Sequence, residues 1–288
     1  MKYAIFVDVD GTLLDNKQQI PESAVYAIQN ARKNGHYVFL YTGRCKAELF
    51  ESILDVGFDG IIYSSGGYIE YEGQCIRHLT FDENDIQSLI QYFEKNKIGY
   101  YLECNHGMYV DTLYQDWMQE AFKDFMPEGA EEYTSSMIVV DGSQQIYEVN
   151  KISFLCTLNN FDQIYKDLHE HFNIIKNTIP MIREVSGEIS IKGIHKADAA
   201  DILLKHIGLD HLSTIAIGDS DNDIELLQHV DIGICMGNGT EKCKAVCDEI
   251  TDDVEHDGLY KSFVKHNLIG RKMILNNKTK RIVKLVQE

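Results

Sequence analysis

Tyr3-Ala4-Ile5-Phe6-Val7-Asp8-Val9-Asp10-Gly11-Thr12 is the stretch that decides the fold: a short apolar run that ends abruptly in two acids and a glycine. Unbroken apolar runs of this length fit a strand buried on both faces of a parallel sheet. The next segments of the chain support that reading. Ser23–Asn34 carries Ala24, Ala27, Ile28 and Ala31 at helical spacing and is followed by Gly35, the residue type that suits the left-handed position just past a helix end. Two further strand-like runs, Tyr37–Tyr41 and Gly60–Tyr63, complete a βαβ rhythm.

From about Phe81 the texture changes. A polar helical stretch, Glu83–Lys95, leads into alternating segments at Tyr100–Glu103, Gly107–Asp111 and Asn150–Thr157, the pattern of an α+β insert with an antiparallel sheet. Near His195 the first texture returns, with helix Lys196–His206, strand Thr214–Gly218, helix Asn222–His229 and strand Ile232–Met236. The expected architecture is an α/β protein: a doubly wound, mainly parallel, Rossmann-like core formed by 1–81 and 189–288, interrupted by an α+β domain at 82–188.

Composition narrows the function. A chain of 288 residues, 44% hydrophobic, is long enough for two domains with cores of their own. No apolar run reaches the roughly 18 residues that span a bilayer, and the N-terminus lacks a signal-peptide pattern. Seven cysteines without metal-ligand spacing fit a reducing compartment, so a cytoplasmic protein is expected, as a monomer or small homo-oligomer with no membrane partner. The net charge of −18 argues against nucleic acid, which calls for a basic stripe, but leaves room for a small anionic substrate. Residues 266–288 run against this trend, with Arg271, Lys272, Lys278, Lys280, Arg281 and Lys284 facing only Glu288, and read as a basic tail lying on an acidic body.

Three strands end in polar clusters: Asp8-Val9-Asp10-Gly11-Thr12, Thr42-Gly43-Arg44 and Gly218-Asp219-Ser220-Asp221-Asn222-Asp223. In an open α/β sheet, ligands bind beyond the carboxyl ends of the strands, so the three clusters converge on one crevice. Asp8 and Asp10, two apart, share a face while the chain stays extended, and Gly11 lets it turn. A lone Asp after a strand is usually a cap or turn former. Four in one crevice (Asp8, Asp10, Asp219, Asp223) repel one another unless a cation sits among them, and a hard, oxygen-only ligand set points to Mg²⁺. The histidines make no metal-binding pattern.

These pieces resemble the haloacid dehalogenase superfamily of phosphatases, in its Cof-like branch with a large α/β cap. The resemblance rests on Asp8-Val9-Asp10-Gly11-Thr12-Leu13-Leu14, Tyr41-Thr42-Gly43-Arg44, a lysine near 196, Gly218-Asp219 with Asn222-Asp223, and Met236-Gly237-Asn238, and it covers roughly residues 1–265. It implies a phosphoric monoester hydrolase that acts on small phosphorylated metabolites such as sugar phosphates, nucleotides, flavin mononucleotide or pyridoxal phosphate. It further implies Asp8 as nucleophile, Asp10 as acid and then base, and stabilising contacts from Thr42 and Lys196. The implied phosphate contacts are the Thr42 hydroxyl, backbone amides near Val9 and Gly43, Lys196 and Asn222. The implied metal ligands are Asp8, the Asp10 carbonyl oxygen, Asp219 and Asp223.

Two departures matter. The family lysine usually precedes glycine, whereas Lys196 precedes Ala197 and Lys192-Gly193 sits upstream as a rival; Lys196 is preferred because it opens the helix leading to the fourth motif. Ser64-Ser65-Gly66-Gly67 stands where many relatives have Asn-Gly, so it is either a turn or a leaving-group contact. Arg44 is expected to pair with an acidic neighbour. A sugar-phosphate mutase shares the chemistry up to the aspartyl-phosphate and remains open beside the hydrolase. A phospho-accepting or phosphosugar-sensing regulatory protein is a third reading.

Overall fold

The computed structural model describes residues 1–125, 136–156, 158–178, 185–194 and 196–270. One sheet has eight strands: β1 (Tyr3–Asp8), β2 (Tyr37–Tyr41), β3 (Gly60–Tyr63), β4 (Tyr68–Tyr71), β5 (Gln74–His78), β12 (Ser213–Gly218), β13 (Ile232–Cys235) and β14 (Glu249–Ile250). Their order across the sheet is β14-β13-β12-β1-β2-β3-β4-β5. Pairing is parallel from β14 across to β3, and the β4–β5 hairpin closes the edge antiparallel. That hairpin turns at Glu72 and Gly73, both left-handed (φ 50 and 74), a two-residue turn suited to a hairpin's twist.

β1 is central and its residues alternate between two cores. Ile5 and Val7 pack with Ala24, Ala27, Ile28 and Ala31 of helix α1 (Glu22–Lys33) on one side. Ala4 and Phe6 pack on the other with Ala199, Ala200 and Leu203 of a helix at Lys196–His206. The core is therefore doubly wound, as expected. The strand order reverses between β1 and β12, so the crevice at the carboxyl end of the sheet opens where Asp8 and the residues after Gly218 meet.

The inserted segment forms a second sheet of six strands: β6 (Tyr100–Cys104), β7 (Gly107–Val110), β8 (Met137–Val139), β9 (Val149–Cys156), β10 (Phe172–Thr178) and β11 (Val185–Ile191). They lie in the order β10-β11-β9-β6-β7-β8. The sheet is antiparallel as expected, except that β8 runs parallel to β7 because helix Thr112–Phe125 intervenes and returns the chain in the same direction. Leu102, Ile152, Phe154 and Ile189 point to one face, against Ile86, Leu89, Ile90 and Phe93 of helix Glu83–Asn96. The intervening residues of β6 and β9 point to the other face, towards the first domain.

One expected helix is altered. Asn222–His229 is a 3₁₀ turn at Asp221–Asp223 followed by an α-helix at Ile224–His229. Asp223 turns its carboxylate back onto the N–H groups of Asp219 and Ser220, which tightens the first turn. The basic-tail expectation falls largely on 271–288, outside the described residues, as does His195. No helix among the described residues is long and apolar enough to cross a membrane.

Candidate active site

Asp8 is the last residue of β1 and is 5% exposed. Because it follows Ala4 and Phe6 at even spacing, it faces the Lys196 side of the sheet. Lys196, in the first turn of its helix and 2% exposed, brings Nζ to 2.6 Å from Asp223 Oδ1, 3.0 Å from Asn222 Oδ1 and 3.4 Å from Asp8 Oδ1. It also lies 4.7 Å from the centre of the Tyr41 ring, whose hydroxyl donates to the Ile217 carbonyl. The rival, Lys192, points elsewhere and donates to the Glu170 carbonyl. The preference for Lys196 thus has a geometric basis: only a residue on the inward face of that helix reaches the strand end.

Carboxylate oxygens of Asp8, Asp219 and Asp223 lie within 4.8 Å of one another. Burial pushes Asp8 well above the usual carboxylate range, and the Asp223 charge adds to this while Lys196 opposes it. Burial raises Asp219 to about 7, reinforced by the charges of Asp223 and Asp10. Lys196 is held above its ordinary value, because the charges of Asp223 and Asp8 outweigh the cost of its burial. Asp219 Oδ1 is buried and has no hydrogen-bond partner among the described residues. A buried oxygen without a partner, among acids that one lysine does not neutralise, is what a divalent cation would satisfy, and the donors are all hard oxygens. The residues present fit such an ion.

Gly11 is obligatory here. Its φ is +78, and a Cβ would sit 2.2 Å from Asp219 Oδ2. Asn238 ties the same turn down, donating from Nδ2 to the Gly11 carbonyl at 2.8 Å and accepting from the Val254 N–H at 2.9 Å. The Met236-Gly237-Asn238 loop therefore belongs to the crevice wall.

Asp10 is placed differently from Asp8. Its side chain, half exposed, is gripped by Arg44 through Nε (2.8 Å) and Nη2 (2.5 Å), and Arg44 also reaches Gln18. Burial alone would raise the Asp10 carboxyl, but the Arg44 guanidinium outweighs it and holds the group below the usual range. The expectation that Arg44 pairs with an acidic neighbour is met, and that neighbour is Asp10. Since the Asp10 carboxylate is turned to Arg44, it is absent from the acidic trio.

Thr42 is 1% exposed and its Oγ1 accepts from the Arg44 N–H. Beyond Gly43, the nearest groups in the direction of a Cβ are Ser65 Oγ (3.6 Å) and Asn222 Nδ2 (3.8 Å), so a small polar cradle surrounds that glycine. Ser64 and Ser65 are both left-handed (φ 49 and 55), and their N–H groups donate to the Arg44 and Thr42 carbonyls. The turn is pinned to the second motif, and Ser65 faces the crevice. Val9 closes the loop from below, its carbonyl accepting from the N–H groups of Leu13 and Leu14.

A second polar group lies above Arg44 and was not legible in the sequence. Arg44 Nη1 donates to the Glu48 carbonyl, and Tyr101 of β6 donates its hydroxyl to Glu48 Oε1 at 2.9 Å, joining the two domains. Cys45, Glu48 and Glu103 offer ligand atoms within 4.8 Å of one another, but the cation there is Lys151, 3.1 Å from Glu103 and 3.3 Å from Glu188.

Residues 5–263 match the family of haloacid dehalogenase-like hydrolases. The chain belongs to that family. It is 26% identical over 269 residues to 5-amino-6-(5-phospho-D-ribitylamino)uracil phosphatase YcsE of Bacillus subtilis, covering 91% of this chain and 94% of that protein. Phosphatase YwpJ of the same organism is 24% identical over 270 residues, covering 86% and 93%. Among solved structures, the sugar phosphatase BT4131 of haloacid dehalogenase subclass IIB superposes with a TM-score of 0.78 at 24% identity, over 93% of this chain and all of that one. The phosphatase BT1666 of Bacteroides thetaiotaomicron superposes with a TM-score of 0.77 at 26% identity, covering 93% and 96%. The expected family, the α/β fold and the phosphatase class all stand, and phosphatases of this family work with a divalent metal.

Proposed function

We propose that this chain is a Mg²⁺-dependent phosphatase of small phosphorylated metabolites, working through an aspartyl-phosphate on Asp8. The observation that carries the proposal is the convergence of Asp8, Lys196, Asp219 and Asp223 at one strand end, with Asp8 the member that ends the central strand β1 and lies within reach of the Lys196 ammonium while Asp223 is committed to holding backbone. Asp223 is fully engaged by two N–H groups and Lys196, which suits a positioning role and a water-relayed metal contact.

In this reading Asp8 attacks phosphorus, the P–O bond to the leaving group breaks, and water then cleaves the acyl phosphate. The phosphoryl oxygens lie in the cradle of the Thr42 hydroxyl, the Val9 and Gly43 amides, Lys196 and Asn222, where fixed donors offset the negative charge. Asp8, the Asp10 carbonyl, Asp219 and Asp223 would hold Mg²⁺, which when bound supplies further neutralisation of the phosphoryl dianion. Asp10 manages the proton. Held by Arg44 it is a carboxylate, suited to taking a proton from the attacking water; protonating the leaving oxygen first asks it to acquire a proton and loosen from Arg44. The second domain serves as a cap that selects the leaving group, since every motif of the chemistry lies in the first.

The test is turnover of an aryl phosphate and a panel of phosphorylated metabolites by purified protein, with Mg²⁺ and with excess chelator. Phosphate release that vanishes in chelator and returns with Mg²⁺ is expected; release that persists undiminished in chelator overturns the proposal.

A further inference from the structure

Lysine carries its charge on a four-carbon stem that turns about several bonds, so a buried ammonium keeps one place only where its walls fix it. Asp223 is the nearest acceptor to Lys196 Nζ at 2.6 Å, Asn222 follows at 3.0 Å, and Asp8 is the farthest of the three at 3.4 Å. These contacts alone draw the ammonium towards Asp223 and away from Asp8. A further neighbour is the Tyr41 ring, whose centre lies 4.7 Å from Nζ. Of the described lysine–ring contacts it is the shortest, the others measuring 5.4 and 5.7 Å, and the one in which ammonium and ring are both buried.

The fold holds that ring from both ends. Tyr41 closes β2 and pairs in register with Asp8 at the end of β1, so the two side chains leave the sheet on one face. Its hydroxyl donates at 3.1 Å to the Ile217 carbonyl of β12, the strand on the opposite side of β1. The ring therefore lies across the strand that carries Asp8, fully buried. Gly218 leaves room for this: a Cβ there would sit 2.5 Å from the Tyr41 hydroxyl and 2.7 Å from the Asp223 carboxylate. An aliphatic side chain could fill the same volume, but it offers an ammonium nothing. The face of an aromatic ring carries negative potential, and a cation there is attracted most strongly where water is excluded.

Accepting the phosphatase reading above, in which Lys196 serves the phosphoryl group, we propose that Tyr41 is a positioning residue: its ring face holds the Lys196 ammonium beside Asp8, and its hydroxyl, anchored on Ile217, fixes the ring. A phosphoryl oxygen brought to Asp8 then meets a charge already in place, and no rotation of the lysine accompanies the transfer.

The experiment replaces Tyr41 by phenylalanine and by difluoro- and trifluorophenylalanine, whose fluorines drain the ring face of negative potential while adding little volume. Values of kcat/KM for p-nitrophenyl phosphate, per folded protein, should fall stepwise along the series by about tenfold in all, and Tyr41→Leu should lose roughly thirtyfold against Tyr41→Phe. Tyr41→Phe keeps the ring but gives up the Ile217 anchor, and should retain about a third of the wild-type kcat/KM. The melting temperature should fall along the fluorinated series in protein with Lys196, relative to the same series built on Lys196→Met, where no ammonium faces the ring. A ring that merely fills space predicts neither trend. Turnover that ignores fluorination, or melting series that run in parallel with and without Lys196, overturns the proposal; if Tyr41→Leu does not fold, the fluorinated series decides. Chelator-sensitive turnover of p-nitrophenyl phosphate by wild type is measured alongside. Its absence strikes the phosphatase reading, whereas its presence with a flat fluorinated series strikes this inference alone.

Discussion

Replacing Lys196 with methionine removes the one described ammonium that touches the acidic trio and leaves a side chain of similar length. The lost contacts are those to Asp223 at 2.6 Å, Asn222 at 3.0 Å and Asp8 at 3.4 Å, all in a site where the lysine is 2% exposed. Breaking a buried charge set by deleting one partner costs about 3–5 kcal/mol. That cost depends on pH in a definite direction. Burial and Asp223 already hold Asp8 above its ordinary range against the pull of Lys196, and burial raises Asp219 to about 7, so loss of the lysine raises both further. A carboxyl whose folded value exceeds its unfolded one favours the folded state while protonated, and that contribution disappears as pH rises through the folded value. Denaturant unfolding of Lys196→Met in chelator should therefore show a deficit of about 3–5 kcal/mol at about pH 8 and a clearly smaller one at about pH 5. Mg²⁺ should restore part of the loss at the higher pH. A deficit below about 1 kcal/mol at the higher pH, or the same deficit at both, would refute the claim that Lys196 neutralises the site.

Neighbouring contacts carry their own expected outcomes. Gly11→Ala places a Cβ 2.2 Å from Asp219 Oδ2 at φ +78, so it should cost about 1–3 kcal/mol in denaturant unfolding and reduce Mg²⁺-dependent turnover by more than the unfolded fraction explains. Since Asp219 sits at about 7, the ion must displace a proton: the rise in melting temperature on adding Mg²⁺ should be small below about pH 6 and grow through neutrality, and Asp219→Asn should flatten that dependence. Arg44→Ala frees Asp10 from the clamp that holds it as a positioned carboxylate and should slow water attack on the acyl phosphate, about tenfold on alkyl and p-nitrophenyl phosphate alike; a loss confined to alkyl phosphates would mean that Arg44 serves the protonation of the leaving group instead.

Much of the catalytic crevice was legible because its pieces are local. Each motif sits at the end of one strand, and a parallel sheet brings strand ends together whatever the loops do, so Asp8, Thr42 and Asp219 could be placed in one crevice from spacing alone. Lys196 came from the family resemblance and from its place at the start of the helix leading to the fourth motif; that it lies on the inward face of that helix is visible only in the fold. What the chain order hides is contact across the two sheets. Glu48 and Tyr101 are 53 positions apart, Glu103 and Lys151 lie on different strands, and nothing in their local sequence distinguishes these four from solvated residues on strand and loop. Arg44 was legible as an ion-pair former, but the identity of its acid, Asp10, depends on a bidentate geometry that spacing does not encode. The β4–β5 hairpin escaped because Glu72-Gly73 is a weaker turn signal than Asn-Gly. The broken helix at Asp221–Asp223 escaped because the Asp223 carboxylate, turned back onto the Asp219 and Ser220 N–H groups, overrides a helical pattern.

The central claim, a covalent intermediate on Asp8 handled by Asp10, is tested most directly by acid-quench trapping with a labelled aryl phosphate. Asp8→Asn has no carboxylate to attack phosphorus and should carry no label. Asp10→Asn keeps the nucleophile but has nothing to activate water, so it should phosphorylate slowly and then stall, with label on Asp8. Label on Asp8 in the second variant and none in the first is the predicted result. Label on any other residue, or near-native hydrolysis by Asp8→Asn in a preparation free of deamidated protein, would contradict the account.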